Sequence, residues 1–416
     1  MATAVETTSL WHPLAAMAAV KGDELVIERG EGCYVWDADG RRLLDSTASL
    51  WYCHVGHGRA QIADAVAAQM KKLENYHTFQ QFANPPALEL ADRIARMAPL
   101  GDGAKVFFGS GGSDGVESAA KLARLYWSAL ERPEKQTIIA RHRSYHGLHG
   151  FGTSLGGQVA NQRGFGRLIE DVAHIETTSA DALREAIAER GAENIAAFIC
   201  EPIVGGAGIV FPPEGYLAEV QRICAENDVL FIADEVITGF GRAGSMFAVE
   251  RYEVAPDMIV FAKGVTSGYL PLGGVIVNAR VAEPFWEDGS ERSFRHGVTY
   301  AGHPAVCVAA LSNLDILEEE ELPARARELE TTVAEVLEPL RDHSAVIDVR
   351  TGEGLIGGVQ VDPAATGVIS RACLERGMIP RIVGDGDTVQ VSPPLIISRD
   401  EIERIGEILG EALDEL

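Results

Sequence analysis

An α/β fold, a large and mostly parallel doubly wound sheet with a smaller α+β domain beside it, is what this sequence predicts, on three observations. Apolar, β-rich runs stop abruptly at charged residues: Val229 to Ala233 at Asp234, Met258 to Ala262 at Lys263, and Ile195 to Cys200 at Glu201. Buried parallel strands end in this way. Helical stretches at Ala180 to Arg190 and Gly215 to Glu226 alternate with these runs. Beyond Ala345 the strands are short (AVIDVR, LIGGVQV, MIPRIV, TVQVS) and mix with helices at Gly367 to Arg376 and Arg399 to Glu415. The 416 residues exceed the size at which one core stops growing, about 250–300 residues. Two domains are therefore expected: 61–310 as the large one, and 1–60 with 311–416 as a small one built from both chain ends.

In chain order, Leu25 to Asp45 alternates apolar and polar residues around an Asp39-Gly40 turn and predicts an antiparallel meander. A loop with Trp51 and Tyr52 follows; its aromatics could cover a core or line a ligand mouth. Gln61 to Leu73 is an amphipathic helix, and Pro85-Pro86 opens another through Ala98. A strand from Lys105 to Phe108 feeds the turn GSGGSDG and a helix from about Val116 to Leu130. Amides at such a helix start can bind phosphate, with Ser113 adding a hydroxyl; the dipole term is only ~0.3–2 kcal/mol, so further donors are expected from elsewhere. Neither GxGxxG nor GxxxxGK[ST] occurs there, which weakens dinucleotide and P-loop readings. His142, His146 and His149 have no nearby carboxylate or cysteine in sequence, so no metal is expected. After Thr299 and Pro304 a long helix ends at Glu318 to Glu321, a solvated acidic face with Arg325 four residues beyond Glu321, and a second runs from Ala324 to about Leu340.

Composition narrows the function class. A net charge of −25 argues against nucleic acid, whose affinity comes from clustered Lys and Arg. Cys33, Cys53, Cys200, Cys224, Cys307 and Cys373 are scattered without a CxxC pair, which suggests free thiols in a reducing cytoplasm. No apolar run approaches the ~18–20 residues of a membrane span, and no export leader is apparent.

Asp234 and Lys263 give the chemistry. Strand ends in an open α/β sheet border the ligand crevice, so the two charges could meet around one molecule. An Asp beside a pyridine nitrogen keeps it protonated, and a desolvated lysine amine can form an imine with an aldehyde. That pair describes pyridoxal phosphate chemistry. Taken singly, Asp234 could instead cap a helix or turn, and Lys263 could mark where a strand meets water.

The motifs in order resemble those of class III pyridoxal-phosphate aminotransferases over nearly the whole chain: VFFGSGGSDGVESAAKLAR at 106–124, SYHG at 144–147, CEPIVGGAG at 200–208, ADEVITGFGRAG at 233–244, FAKGVTSGYLPLGG at 261–274 and HGVTYAGHP at 296–304. The resemblance implies a fold type I PLP-dependent transferase acting as a homodimer with shared active sites, whose dimers could pair into tetramers. Lys263 would carry the cofactor and move protons, and Asp234 would hold the ring nitrogen protonated. Tyr145 and Val236 would sandwich the ring, Glu201 would support the Asp234 network, and Gly112 and Ser113 would grip the phosphate. Thr299 would reach the phosphate of the neighbouring subunit.

The departures bear on substrate. Gly206 stands where ornithine and 4-aminobutyrate members carry a glutamate that pairs with a mobile arginine, which points to the amine:pyruvate branch. There Trp51 would wall the large pocket, Arg381 would take the keto-acid carboxylate, and Phe79, followed by Gln80 and Gln81, would lie near a comparatively polar entrance. The expected reaction moves nitrogen from a primary amine to pyruvate by a ping-pong mechanism. An aminomutase or decarboxylase of the same fold family is the alternative, and a non-catalytic α/β binding protein a third.

Overall fold

The regular structure opens with a meander of β1 (Ile27–Glu31), β2 (Tyr34–Asp37) and β3 (Arg42–Asp45), antiparallel as expected and turned at Gly40, where φ is +79°. This computed structural model describes residues 9–416; residues 1–8, with which the smaller expected domain would begin, lie outside the described residues. The loop after β3 becomes a short irregular turn of helix, Ala48–Trp51.

The central sheet comprises β4 (Lys105–Gly109), β5 (Thr137–Arg141), β6 (Val172–Ile175), β7 (Ile195–Cys200), β8 (Leu230–Asp234), β9 (Met258–Phe261) and β10 (Gly273–Val277). Its order is β4-β10-β9-β8-β7-β5-β6. Only β10 runs against its neighbours; the pairs from β9 to β6 are parallel. Strands β7 to β10 are buried along their whole length, as two covered faces require. β10 is not among the strands expected from the sequence, and its paired glycines would ordinarily weaken a strand. Here the glycines are what admit it, since a side chain at Gly273 or Gly274 would run into the backbone of Gly111 or Phe107.

Between β5 and β7 the winding direction reverses, and the crevice for a ligand opens at the carboxyl ends of such strands. The helix Gly112–Ala129 starts four residues earlier than its sequence pattern suggests, which puts Gly112 and Ser113 in its first turn. It lies close on the sheet: a Cβ on Gly115 would sit 2.7 Å from both the Gly274 carbonyl oxygen and Val260 Cγ1.

A second sheet follows, β11 (Val346–Thr351) and β12 (Gly357–Val361) joined by two later strands in the order β11-β12-β15-β14. The expected single strand MIPRIV divides in two. Met378–Ile379 forms β13, which leaves to pair in parallel with β3, while Ile382–Val383 forms β14 and pairs with β15 (Thr388–Val391). Pro380 has no N–H to give a ladder, and the break leaves Arg381 between two sheets. Pro323 lies in the first turn of the helix Leu322–Leu337 rather than ahead of it. Glu318 to Glu321 are exposed as expected, but Arg325 donates to the Ile397 carbonyl at 2.6 Å and forms no ion pair with Glu321. Among the described residues no helix is long and apolar enough to cross a membrane.

Gly115→Ala should push the helix off β9 and β10, because neither the Gly274 carbonyl nor the buried Val260 can yield freely. The expected cost is about 1–3 kcal/mol, as for other overpacked cores, read as a lower thermal midpoint.

Candidate active site

The C-terminal ends of β7, β8 and β9 and the loop after β5 converge on one recess of about 500 Å³, counted with the solvent at its mouth. Asp234 closes β8 and is 3% exposed. Its Oδ2 lies 2.7 Å from His146 Nδ1, and its Oδ1 accepts the Val236 N–H at 3.2 Å. Glu201 follows β7, accepting the Tyr145 N–H on Oε1 and the Gly205 N–H on Oε2, both at 3.0 Å. Burial pushes the Glu201 carboxyl above its ordinary range, with His146 pulling it back and Asp234 adding to the rise. One carboxylate therefore fixes the backbone of Tyr145 on one side and the glycine turn after β7 on the other.

Lys263 follows β9 in the left-handed region, at φ +47°. Burial lowers its ammonium from the ordinary 10.5 to about 8, against the pull of Asp234 and Glu201. The ring of His54 fills the space beside the next residue, Gly264, where any side chain would collide with it. Gly112, Ser113, Tyr145, Glu201, Asp234, Val236 and Lys263 all line the recess. So does His146, which the sequence reading weighed only as a metal ligand; its place beside Tyr145 in SYHG was the available signal. The three histidines of that stretch separate: His142 stacks on His174, His146 meets Asp234, and His149 Nδ1 lies 3.4 Å from Asp114. Among the described residues no cluster of His, Cys, Asp and Glu could hold a metal ion.

Outside this recess a wider one, about 1060 Å³ with its open solvent, shares Tyr145 and Lys263 and adds Leu50, Trp51, Gly206 and Arg381. Trp51 is buried, not an exposed aromatic: it belongs to an apolar cluster with Ile203 and Ile237 and presents one side to the recess. Arg381 is half-buried, with its Nη1 enclosed and without a hydrogen-bond partner. Phe79 and Thr299 are not brought to Lys263 within the chain. Both are exposed, and Phe79 packs beside Gly297 because Thr78 and Asn84 bond the carbonyls of Ala301 and Gly302 at 3.0 and 2.8 Å.

The residues present fit pyridoxal phosphate. The helix at Gly112 has no side-chain cap, so its first amides are available to a phosphate. Gly112 leaves room where a Cβ would strike the Val236 methyls at 2.8 and 3.0 Å. A buried carboxylate, a neutralisable amine and an aromatic face surround the remaining space. His146 Nε2 is buried with no partner.

The family model for class III aminotransferases matches residues 17–413. A putrescine–pyruvate aminotransferase of Pseudomonas aeruginosa is 36% identical over 419 residues, spanning 94% of this chain and 90% of that protein. A protein of Oryza sativa subsp. indica named gamma-aminobutyrate transaminase 1, mitochondrial, is 37% identical over 420 residues, spanning 94% and 81%. Among solved structures, an amine transaminase from an uncultivated Pseudomonas species in its PLP-bound form superposes with a TM-score of 0.91 at 36% identity, covering 98% of both chains. The architecture, the recess around Lys263 and Asp234 and these matches together place the chain in the class III aminotransferases, whose cofactor is pyridoxal phosphate.

Proposed function

We propose that this aminotransferase moves nitrogen from a primary amine to pyruvate, giving alanine and an aldehyde or ketone by a ping-pong mechanism. The observation that carries the reading is the Arg381 guanidinium, enclosed beside Lys263 with an unpartnered Nη1. Gly206 faces Tyr145, whose ring Cγ lies 3.6 Å from where a Cβ would stand, and supplies no carboxylate to neutralise Arg381. A small keto-acid carboxylate supplies the missing charge, through hydrogen bonds worth about 1.5–3 kcal/mol. The name of the Pseudomonas aeruginosa relative agrees with a pyruvate acceptor. The rice relative's name favours a second reading, an ω-amino acid donor whose own carboxylate would meet Arg381.

Bound in the inner recess, pyridoxal phosphate supplies an aldehyde for amine condensation and a protonated ring that draws electrons from the adjacent carbon. The chain's residues do the rest. Asp234, oriented by His146 and the Val236 amide, would hold the proton on the ring nitrogen. Tyr145 and Val236 hold the two faces of the ring. Lys263 Nζ would take a proton from the amine-bearing carbon of the donor and, in the second half-reaction, give one to the carbonyl carbon of the acceptor. Burial already disfavours the charged form of Lys263, as a general base working near neutral pH requires. Gly112 and Ser113 would hold the phosphate, with Thr299 reaching it from a second subunit. That exchange requires a homodimer, and it accounts for Thr299 and Phe79 lying on the surface of the single chain.

Lys263→Ala should lower turnover by at least about 10³-fold and remove the borohydride-reducible chromophore; near-normal alanine formation would sink the mechanism. In cofactor-free protein, Lys263, its pKa lowered by burial to about 8, should be protonated and unreactive below that pH and nucleophilic above it. Reductive methylation followed by peptide mass spectrometry should give a midpoint there, against about 10.4 for exposed lysines. Arg381→Ala should raise KM for pyruvate roughly 10- to 100-fold, at tenfold per 1.4 kcal/mol, with a smaller effect on a carboxylate-free amine. Under the second reading the ω-amino acid loses as much.

A further inference from the structure

The turn that carries Trp51 holds its backbone where L-residues rarely sit. Ala48, Ser49 and Trp51 have φ of +46°, +56° and +69°, and Ser49 combines its φ with a ψ of −97°, near the strained γ-turn of positive φ. Such conformations persist only where the surroundings over-determine them, and they gather at functional sites.

Asp45 supplies that determination. It ends β3 at 1% exposure, and its carboxylate accepts from the Thr47 N–H and Oγ1, both at 3.2 Å, and from the Ser49 N–H at 2.8 and 3.0 Å. His57 Nε2 lies 2.9 Å from Oδ2 and orients the group from behind. On the other side of the turn, His54 Nε2 lies 3.1 Å from the Trp51 carbonyl while its Nδ1 lies 2.8 Å from that of Phe240. The product of the turn is Leu50 and Trp51, which line the outer recess with Lys263 and Arg381. Trp51 Nε1 has no hydrogen-bond partner, so the indole is placed by the backbone beneath it and by apolar packing alone.

We propose that Asp45, oriented by His57, is a positioning residue for donor specificity: it clamps residues 47–51 and thereby fixes how far the Trp51 indole reaches into the outer recess. The inference rests on the reading in which that recess receives the amine donor. Asparagine is the discriminating substitution. Its amide keeps one acceptor oxygen, which can serve the Thr47 donors, but puts an NH2 in place of the other, against the Ser49 N–H and His57 Nε2 that now meet Oδ2, while volume is preserved.

The test combines hydrogen exchange with donor selectivity. In Asp45→Asn, amides of the 46–53 peptide should exchange at least about tenfold faster. The ratio of kcat/KM for 1-phenylethylamine to that for isopropylamine should shift at least about fivefold, through KM rather than kcat. Combined with Trp51→Ala, Asp45→Asn should cause no further shift in the ratio, because effects that pass through one side chain do not add. His57→Leu should reproduce both changes in milder form, and His57→Gln, which keeps a donor, should restore them; these variants carry the test if Asp45→Asn does not fold. Unchanged exchange overturns the clamp. Faster exchange with an unmoved ratio, or additive effects with Trp51→Ala, overturns its role in specificity. A wild-type protein that forms no alanine from any amine and pyruvate overturns the proposed reaction instead, and the clamp then stands or falls on exchange.

Discussion

Burying Asp234 beside His146 is the constraint on which the site depends. A carboxylate withdrawn from water is tolerated only when hydrogen-bonded or matched by charge, and Asp234 has the His146 imidazole, the Val236 amide and the nearby Lys263 to serve it. None of these is a neighbour in the sense of a rigid element. His146 comes from the loop after β5, Val236 from the turn after β8, and Lys263 from the end of β9. The sheet therefore brings together groups that the loops alone could not hold.

Glu201 repeats the pattern one strand away. Its two oxygens tie the Tyr145 amide to the Gly205 amide, and its backbone carbonyl accepts from the Arg141 guanidinium at 2.6 Å. Both sides of the winding reversal between β5 and β7 thus meet at one residue. Its raised pKa and the lowered pKa of Lys263 share a first cause, burial. Each group's charged form is disfavoured by the same dry surroundings, and each favours the charge of the other. A cationic ring nitrogen and an anionic phosphate complete a set of opposite charges for which water would be a poor substitute.

Asp234, Lys263 and Glu201 were legible because each ends an apolar run, and the strand is a local signal. The helix start at Gly112 was read four residues late, since glycines and Ser-Asp obscure a periodic pattern that tertiary contact with β10 enforces. β10 carries no local strand signal for a related reason: its paired glycines favour a strand only where the backbone of Gly111 and Phe107 comes close. His146 could be read as a ligand or a loop residue, because its partner lies 88 residues away. Trp51 could be read as core or pocket wall and is both. The separation of Phe79 and Thr299 from Lys263 within the chain has no local signature, because the 78–84 loop is tied to residues 301–302 across more than 200 positions.

A chain of net charge −25 must still attract an anionic cofactor and, on the proposed reaction, an anionic acceptor. Overall repulsion does not decide this. At physiological ionic strength exposed charges are screened beyond about 8 Å, so the many glutamates of the outer helices count for little inside the recess. What acts there is the local set: Lys263, the unpartnered Arg381 Nη1 and the uncapped start of the Gly112–Ala129 helix, set against the carboxylates of Asp234 and Glu201. Lower salt should strengthen the outer repulsion more than the inner attraction, since buried pairs are screened least. The depth of the site thus separates its local charges from the acidic exterior.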